Sequence, residues 1–158
     1  MYTPDDYDRY SSLKPSFGLY LTLFFGIKNV LLILIPFVAS IKRKVQHLDY
    51  LQDLVQPVML VSDVIVLIVV IALIKRNPES NVFWKGVWQN GRLLINVALI
   101  YQLVMLGIQV LIEIGTDRYI QINTVMPMFY FMFITLLFIL NLNTSKRIKD
   151  TFLDWPRN

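Results

Sequence analysis

The sequence contains no cysteine and a single histidine, His47. The first absence excludes disulfides, thiol catalysis and cysteine-held iron–sulfur clusters. The second argues against a histidine-rich metal site or a haem held by two histidines. No P-loop, GxSxG, HExxH or dinucleotide fingerprint occurs, and no Glu-x-x-His pair at helical spacing. Charged residues make up only 16% of the chain. The basic ones sit where apolar runs end, too dispersed to form a nucleic-acid surface. There is no internal repeat and no low-complexity tract, so the two halves do not mirror each other as in an inverted-repeat transporter. These absences lead to an expectation of no enzymatic activity in the chain alone, no cofactor, no metal and no nucleic-acid partner.

What the sequence has in excess is apolar residues. They account for 56% of 158 residues, against about 45–50% in a soluble domain, and the mean hydropathy is +0.55. The excess falls in four blocks, and roughly 20 residues of helix cross a bilayer core. The expected fold class is all-α: a polytopic membrane protein with four transmembrane helices and short cytoplasmic interfacial helices. The spans are expected at about 17–41, 55–74, 93–114 and 123–142, within one domain covering 1–158. Pro36 is expected to bend the first span. A cleaved signal peptide is not expected, because Asp5, Asp6 and Asp8 precede the first run and that run is too long for a signal core.

Three amphipathic stretches are expected at the membrane surface: about 3–13, 80–90 and 145–155. Thr3-Pro4-Asp5-Asp6 has the composition of a helix start. Ser80 or Asn81 offers a cap for a segment that Gly91 ends. Trp84 and Trp88, and then Phe152 and Trp155, read as interfacial anchors in the headgroup region. A further amphipathic stretch follows Lys42-Arg43-Lys44, with Val45, Leu48, Leu51 and Val55 at near-helical spacing.

With four spans both termini and the central connector share one side. Arg9, Lys14, Lys75, Arg76, Lys85, Arg92, Lys146, Arg147, Lys149 and Arg157 lie there; Lys42, Arg43, Lys44 and Arg118 lie opposite. The positive-inside rule then places both termini in the cytoplasm, with the triplet at 42–44 opposing it.

The first run contains one base, Lys28, and the second one acid, Asp63. At about 1.5 Å per residue each lies roughly 16 Å from the same face. A lone charge at that depth is costly and an opposite one offsets much of the cost. A buried Lys28–Asp63 pair is therefore expected, with Gln102 close to the same layer and Asn29 a further member. Gln102, Leu106, Gln109 and Glu113 recur on one helical face, giving a secondary polar face at Gln109 and Glu113. The pair reads either as structural glue or as a gate or relay.

Both ends of the chain carry recognisable motifs. Asp6-Tyr7-Asp8 and Leu13-Lys14-Pro15 lead into an aromatic-rich span containing Lys28. Ser145-Lys146-Arg147-Ile148-Lys149-Asp150 is followed by Phe152-Leu153-Asp154-Trp155-Pro156. This pattern resembles the YfeZ-like inner-membrane proteins of Gram-negative bacteria, a family of unknown function that usually has an arginine or similar base at the position of Lys28. The resemblance implies four spans and a bacterial inner membrane, and it implies no activity.

The functional expectation is a non-enzymatic accessory, scaffolding or regulatory protein among membrane lipids, in a homo-oligomer or a larger membrane-protein complex. The alternative is a small channel or transporter using Lys28 and Asp63. A weaker alternative is a lipid-modifying enzyme using Asp5, Asp6 or Asp8. On the scaffold reading, Lys28→Met with Asp63→Leu should preserve assembly, since an apolar pair can replace a buried ion pair.

Overall fold

A computed structural model describes residues 2–41, 57–116 and 122–156. Among the described residues the regular structure is helical, with one isolated backbone bridge between Tyr7 and Leu13 and no strand. Seven α-helices follow in order: α1 Phe17–Gly26, α2 Lys28–Ile41, α3 Leu60–Ile74, α4 Val82–Gln89, α5 Gly91–Thr116, α6 Ile122–Thr144 and α7 Lys146–Leu153. A 3₁₀ turn over Pro57–Met59 leads into α3, and another covers Pro4–Asp6. The stretch around Lys42-Arg43-Lys44 and the loop containing Asp117 and Arg118 lie outside the described residues.

Among the described residues three helical stretches are each long and apolar enough to cross a membrane: Pro57–Ile74, Gly91–Gly115 and Val125–Thr144. The first apolar run is not one continuous helix, and the candidate spans number four if its two bent helices together make one. It is two helices, α1 and the start of α2, bent by 64° at Ile27. The bend lies well before Pro36, and α2 continues through that position. Proline is therefore not the cause of this break.

Helix α3 lies at the centre, packed against α1, α2, α4 and α5, while α5 packs along α6. The core threads Leu19 and Leu23, Val66 and Val69, Ile95 and Leu99, and Leu142, then continues through Trp88, Ile148 and Phe152 of the short helices. Close approach at two points depends on glycine. A Cβ on Gly26 would stand 2.9 Å from Val66 Cγ1, and one on Gly91 would stand 2.6 Å from Phe152 Cε1. The outer faces of α5 and α6 are apolar and exposed, with Leu111, Tyr130 and Phe133 among them, as lipid contact requires.

The short helices have local causes. The Asn81 side chain accepts a hydrogen bond from the Phe83 amide and starts α4; the Ser145 hydroxyl accepts one from the Ile148 amide and starts α7. Gly91 does not end α4 but opens α5, so the two helices meet at Asn90. Thr3-Pro4-Asp5-Asp6 does start a helix, with Thr3 at the cap and Pro4 in the first turn, but it runs for one 3₁₀ turn only. Asp6 turns back to accept from both the amide and hydroxyl of Thr3, and the chain leaves the turn extended at Tyr7.

Candidate functional site

Breaking a helix inside a membrane frees backbone groups that water cannot reach. At Ile27 the freed groups are met by side chains from neighbouring helices. The Asp63 carboxylate, fully buried on α3, accepts from the Asn29 amide at 2.8 Å and the Val30 amide at 3.0 Å, both through Oδ2. Its Oδ1 accepts from Asn29 Nδ2 at 3.0 Å and Gln102 Nε2 at 3.2 Å. Asp63 thus caps the first turn of α2 from another helix, where the aligned peptide dipoles favour negative charge. On the other side of the break, the Gly26 carbonyl at the end of α1 accepts from Gln102 Nε2.

Lys28 joins this network indirectly. Its ammonium donates to Gln102 Oε1 at 2.6 Å and lies 4.5 Å from the Phe25 ring centroid. Phe25 in turn packs on Phe138, with centroids 4.9 Å apart. Among the described residues the one ion pair within 4.0 Å joins Arg147 and Asp6. The expected Lys28–Asp63 pair is therefore not a direct one: the Gln102 amide stands between the two charges and bonds to both. The reason is geometric: one Asp63 oxygen is taken by the amides at the helix break and the other by the side-chain amides of Asn29 and Gln102. Ser62 completes the layer, its hydroxyl donating to the Met59 carbonyl and accepting from Gln102. Further along α5 the polar face loosens. Leu106 and Val110 point inward, and Gln109 and Glu113 are only half-buried.

The second organised region is the end of the bundle where both chain ends meet. Arg76, directly after α3, is 8% exposed. Its Nη1 donates to the Leu13 carbonyl at 2.9 Å and its Nη2 to the Asp154 carbonyl at 3.0 Å, while its guanidinium lies 5.1 Å from a Trp88 ring. The Asp154 carboxylate accepts from the Leu13 amide, and Tyr2 donates its hydroxyl to Asp150. Asp6 pairs with Arg147 at 2.8 Å. Burial lowers the Arg76 pKa from its ordinary value, opposed by Asp8 and Asp154; an arginine remains charged regardless. Sequence reading counted Arg76 only as a boundary charge. The signal that singles it out is the company of Trp88 and irregular backbone, which needs the fold to be seen.

Three of the four expected interfacial anchors are buried within the protein. Trp88 is 0% exposed, Phe152 2% and Trp155 8%. Trp88 donates its indole N–H to the Thr151 carbonyl and stacks obliquely on Phe152 at 4.7 Å. They are the core that fastens α4 and α7 to the bundle, because their apolar stripe finds Gly91 and Val69 to pack against. Trp84 is half-buried at the edge of this core. Val82, Phe83 and Leu153 are the apolar side chains these helices turn outward.

The three N-terminal acids do not converge. Asp6 binds Thr3 and Arg147. Asp8 accepts from the Tyr10 and Ser12 amides and the Ser12 hydroxyl, and the Asp5 carbonyl accepts from Lys14. Beside them opens a polar cleft of about 960 Å³, lined by tyrosines Tyr2, Tyr7 and Tyr10, by Arg9 and Asn77, and by the acids Glu79, Asp150 and Asp154. The buried Asn77 Oδ1 has no hydrogen-bond partner there. Among the described residues no group of three or more metal-ligating side chains occurs.

No curated protein and no solved structure matches the chain. The model of one family, described as a protein of unknown function (DUF2919), matches residues 2–154, and the chain belongs to that family.

Proposed function

We propose that the chain is a non-enzymatic accessory or regulatory protein of a bacterial inner membrane, crossing it four times with both ends in the cytoplasm. It acts in a homo-oligomer or beside a larger membrane complex. The carrying observation is a contrast between inside and end. The intramembrane network is closed, with Asp63 fully buried and both its oxygens occupied, whereas the end of the bundle presents a polar cleft of about 960 Å³. A group that must bind and release an ion needs access; a surface that receives a partner needs exposure. The likeness of both chain ends to the YfeZ-like proteins supports the inner membrane. The basic residues gathered on the terminal side support the cytoplasmic placement.

A channel or transporter is the second reading, favoured by one feature. Secondary transporters build their substrate sites at broken helices, whose N-terminal ends receive anionic groups of the substrate; here the helix is broken in the same way, with Asp63 in the anion's place. Native mass spectrometry of the particle extracted with its lipid separates the readings. A stoichiometric foreign subunit, or a defined homo-oligomer with no ion or solute flux in liposomes, is the expected result. Flux by the wild type that disappears in Asp63→Asn would overturn it in favour of transport. A bare monomer without flux would remove the assembly component.

A further inference from the structure

A groove separate from the cleft and from the Asp63 network runs down the outside of α5. It has a volume of about 390 Å³ and is bounded by α7 and by the ends of α4 and α6. Its upper part is basic and polar: Arg92, Lys149 and Asn90. Its lower part is apolar: Leu93, Val97 and Ile100 on the lipid side of α5, 61%, 50% and 49% exposed. The order along the helix is that of a lipid. The basic groups lie at the start of a membrane-crossing segment, Gly91–Gly115, and the apolar stripe descends into it.

Arg92 is held for this task. Its Nε donates to the Leu142 carbonyl, and its Nη2 to the carbonyl and side chain of Asn143. Asn143 is itself fixed by Asn96. The guanidinium is thus oriented with no carboxylate pairing it: the one ion pair among the described residues lies elsewhere, at Arg147 and Asp6. Lys149, one α7 turn from Phe152, is exposed and likewise unpaired. Two unpaired cations over an apolar channel at the bilayer boundary match a headgroup phosphate above an acyl chain. We propose that this groove binds an anionic phospholipid, its phosphate between Arg92 and Lys149 and an acyl chain along Leu93, Val97 and Ile100. The reading does not depend on the accessory role.

The test is native mass spectrometry of the full chain in detergent, titrated with phosphatidylglycerol or with phosphatidylcholine of the same acyl chains. The wild type should retain one phosphatidylglycerol with a preference of roughly tenfold or more, given two basic contacts. Arg92→Gln with Lys149→Gln should abolish the preference. Lys75→Gln with Lys85→Gln removes the same charge from exposed positions outside the groove and should leave it intact. Because Arg92 also ties α5 to α6, Lys149→Gln alone and Val97→Trp are tested too; the tryptophan fills the apolar half at a lipid-facing position and should weaken retention without unfolding the bundle. Inorganic phosphate in excess should not displace the lipid. Equal losses in the groove and control variants would reduce the effect to net charge and overturn the proposal. So would displacement by phosphate alone, or unchanged retention in Val97→Trp.

Discussion

Two buried charges organise this molecule, and they meet their needs in opposite ways. Asp63 sits inside the bundle and accepts backbone N–H groups from the start of α2. Arg76 sits at the end and donates to backbone carbonyls at Leu13 and Asp154. Neither has a side-chain counter-ion as its first partner. Each charge replaces hydrogen bonds that regular helix would have supplied, so its main effect is on irregular backbone. The difference lies in depth. Around Asp63 no water is at hand, and every donor must come from protein. Around Arg76 the aqueous end is near, and Asp8 and Asp154 temper the burial.

The largest effect should come from removing the acid. Asp63→Leu leaves two amides, the Asn29 side chain and one Gln102 donor without their acceptor, and leaves Lys28 uncompensated. A loss of about 3–5 kcal/mol is expected from breaking such a buried charged cluster, read as thermal unfolding in detergent. Adding Lys28→Met should not restore stability, because an apolar residue cannot accept from the N-terminus of α2. This reverses the expectation from the sequence, in which the pair was only an ion pair. A double variant as stable as wild type would show that the helix break does not depend on Asp63. Lys28→Met alone frees one Gln102 oxygen and the face of Phe25 but leaves Asp63 all its N–H donors, and should cost less than Asp63→Leu.

Next in size is Arg76→Met. It strips two carbonyls of donors and should cost about 2–3 kcal/mol, within the range for buried hydrogen bonds to a charged group. The effect should be local: faster amide exchange in residues 2–16 and around Asp154, with α5 and α6 unchanged. Uniform loosening of the whole bundle would merge the two regions into one cooperative unit. Arg76→Lys keeps the charge but not the fork and should fall between.

Gly91→Ala probes the seam between the regions. The added methyl meets Phe152 and Val69, the residues that fasten α7 to α5 and α3. Overpacking of this kind costs about 1–3 kcal/mol. Thermal unfolding should fall accordingly, with Trp88 emission shifting to the red as its cover lifts. An unchanged spectrum would mean the seam has slack.

Much of the fold was legible because lipid solvent makes strong demands: long apolar runs at 57–74, 91–115 and 125–144 admit little but helices. Lys28, Asp63, Gln102 and Asn29 were legible as a group for the same reason, since polar residues at one depth must find each other. Their wiring was not. Depth arithmetic treats a span as an unbroken rod, so it saw opposite charges and not the orphaned amides at Asn29 and Val30. Proline drew the bend to position 36, although the break lies at Gly26–Ile27 with Val66 pressed against it. Trp88, Phe152 and Trp155 misled for a related reason. An amphipathic helix shows the same stripe whether it faces headgroups or a protein core, and only the packing of α4 on α7 distinguishes them.

The smallest effect expected concerns Asp8, which shapes the loop that Arg76 holds. Burial raises the pKa of its carboxyl, but hydrogen bonds from the Ser12 hydroxyl and amide and the Tyr10 amide outweigh this and hold it below the ordinary 3.8. A depressed carboxylate contributes stability that is complete above its unfolded value of about 3.9 and lost as pH falls through the folded value. Acid should therefore loosen residues 8–12 before it reaches the bundle. The carboxyl carbon of Asp8, followed by NMR in detergent, should titrate below 3.8 in the wild type. Ser12→Ala removes the shortest of its hydrogen bonds, at 2.7 Å, and should move the titration upward while thermal unfolding of the spans stays as it was. If the Asp8 titration does not move, the backbone donors alone set the carboxyl. The loop would then be held from the Arg76 side, with Asp8 following rather than shaping it.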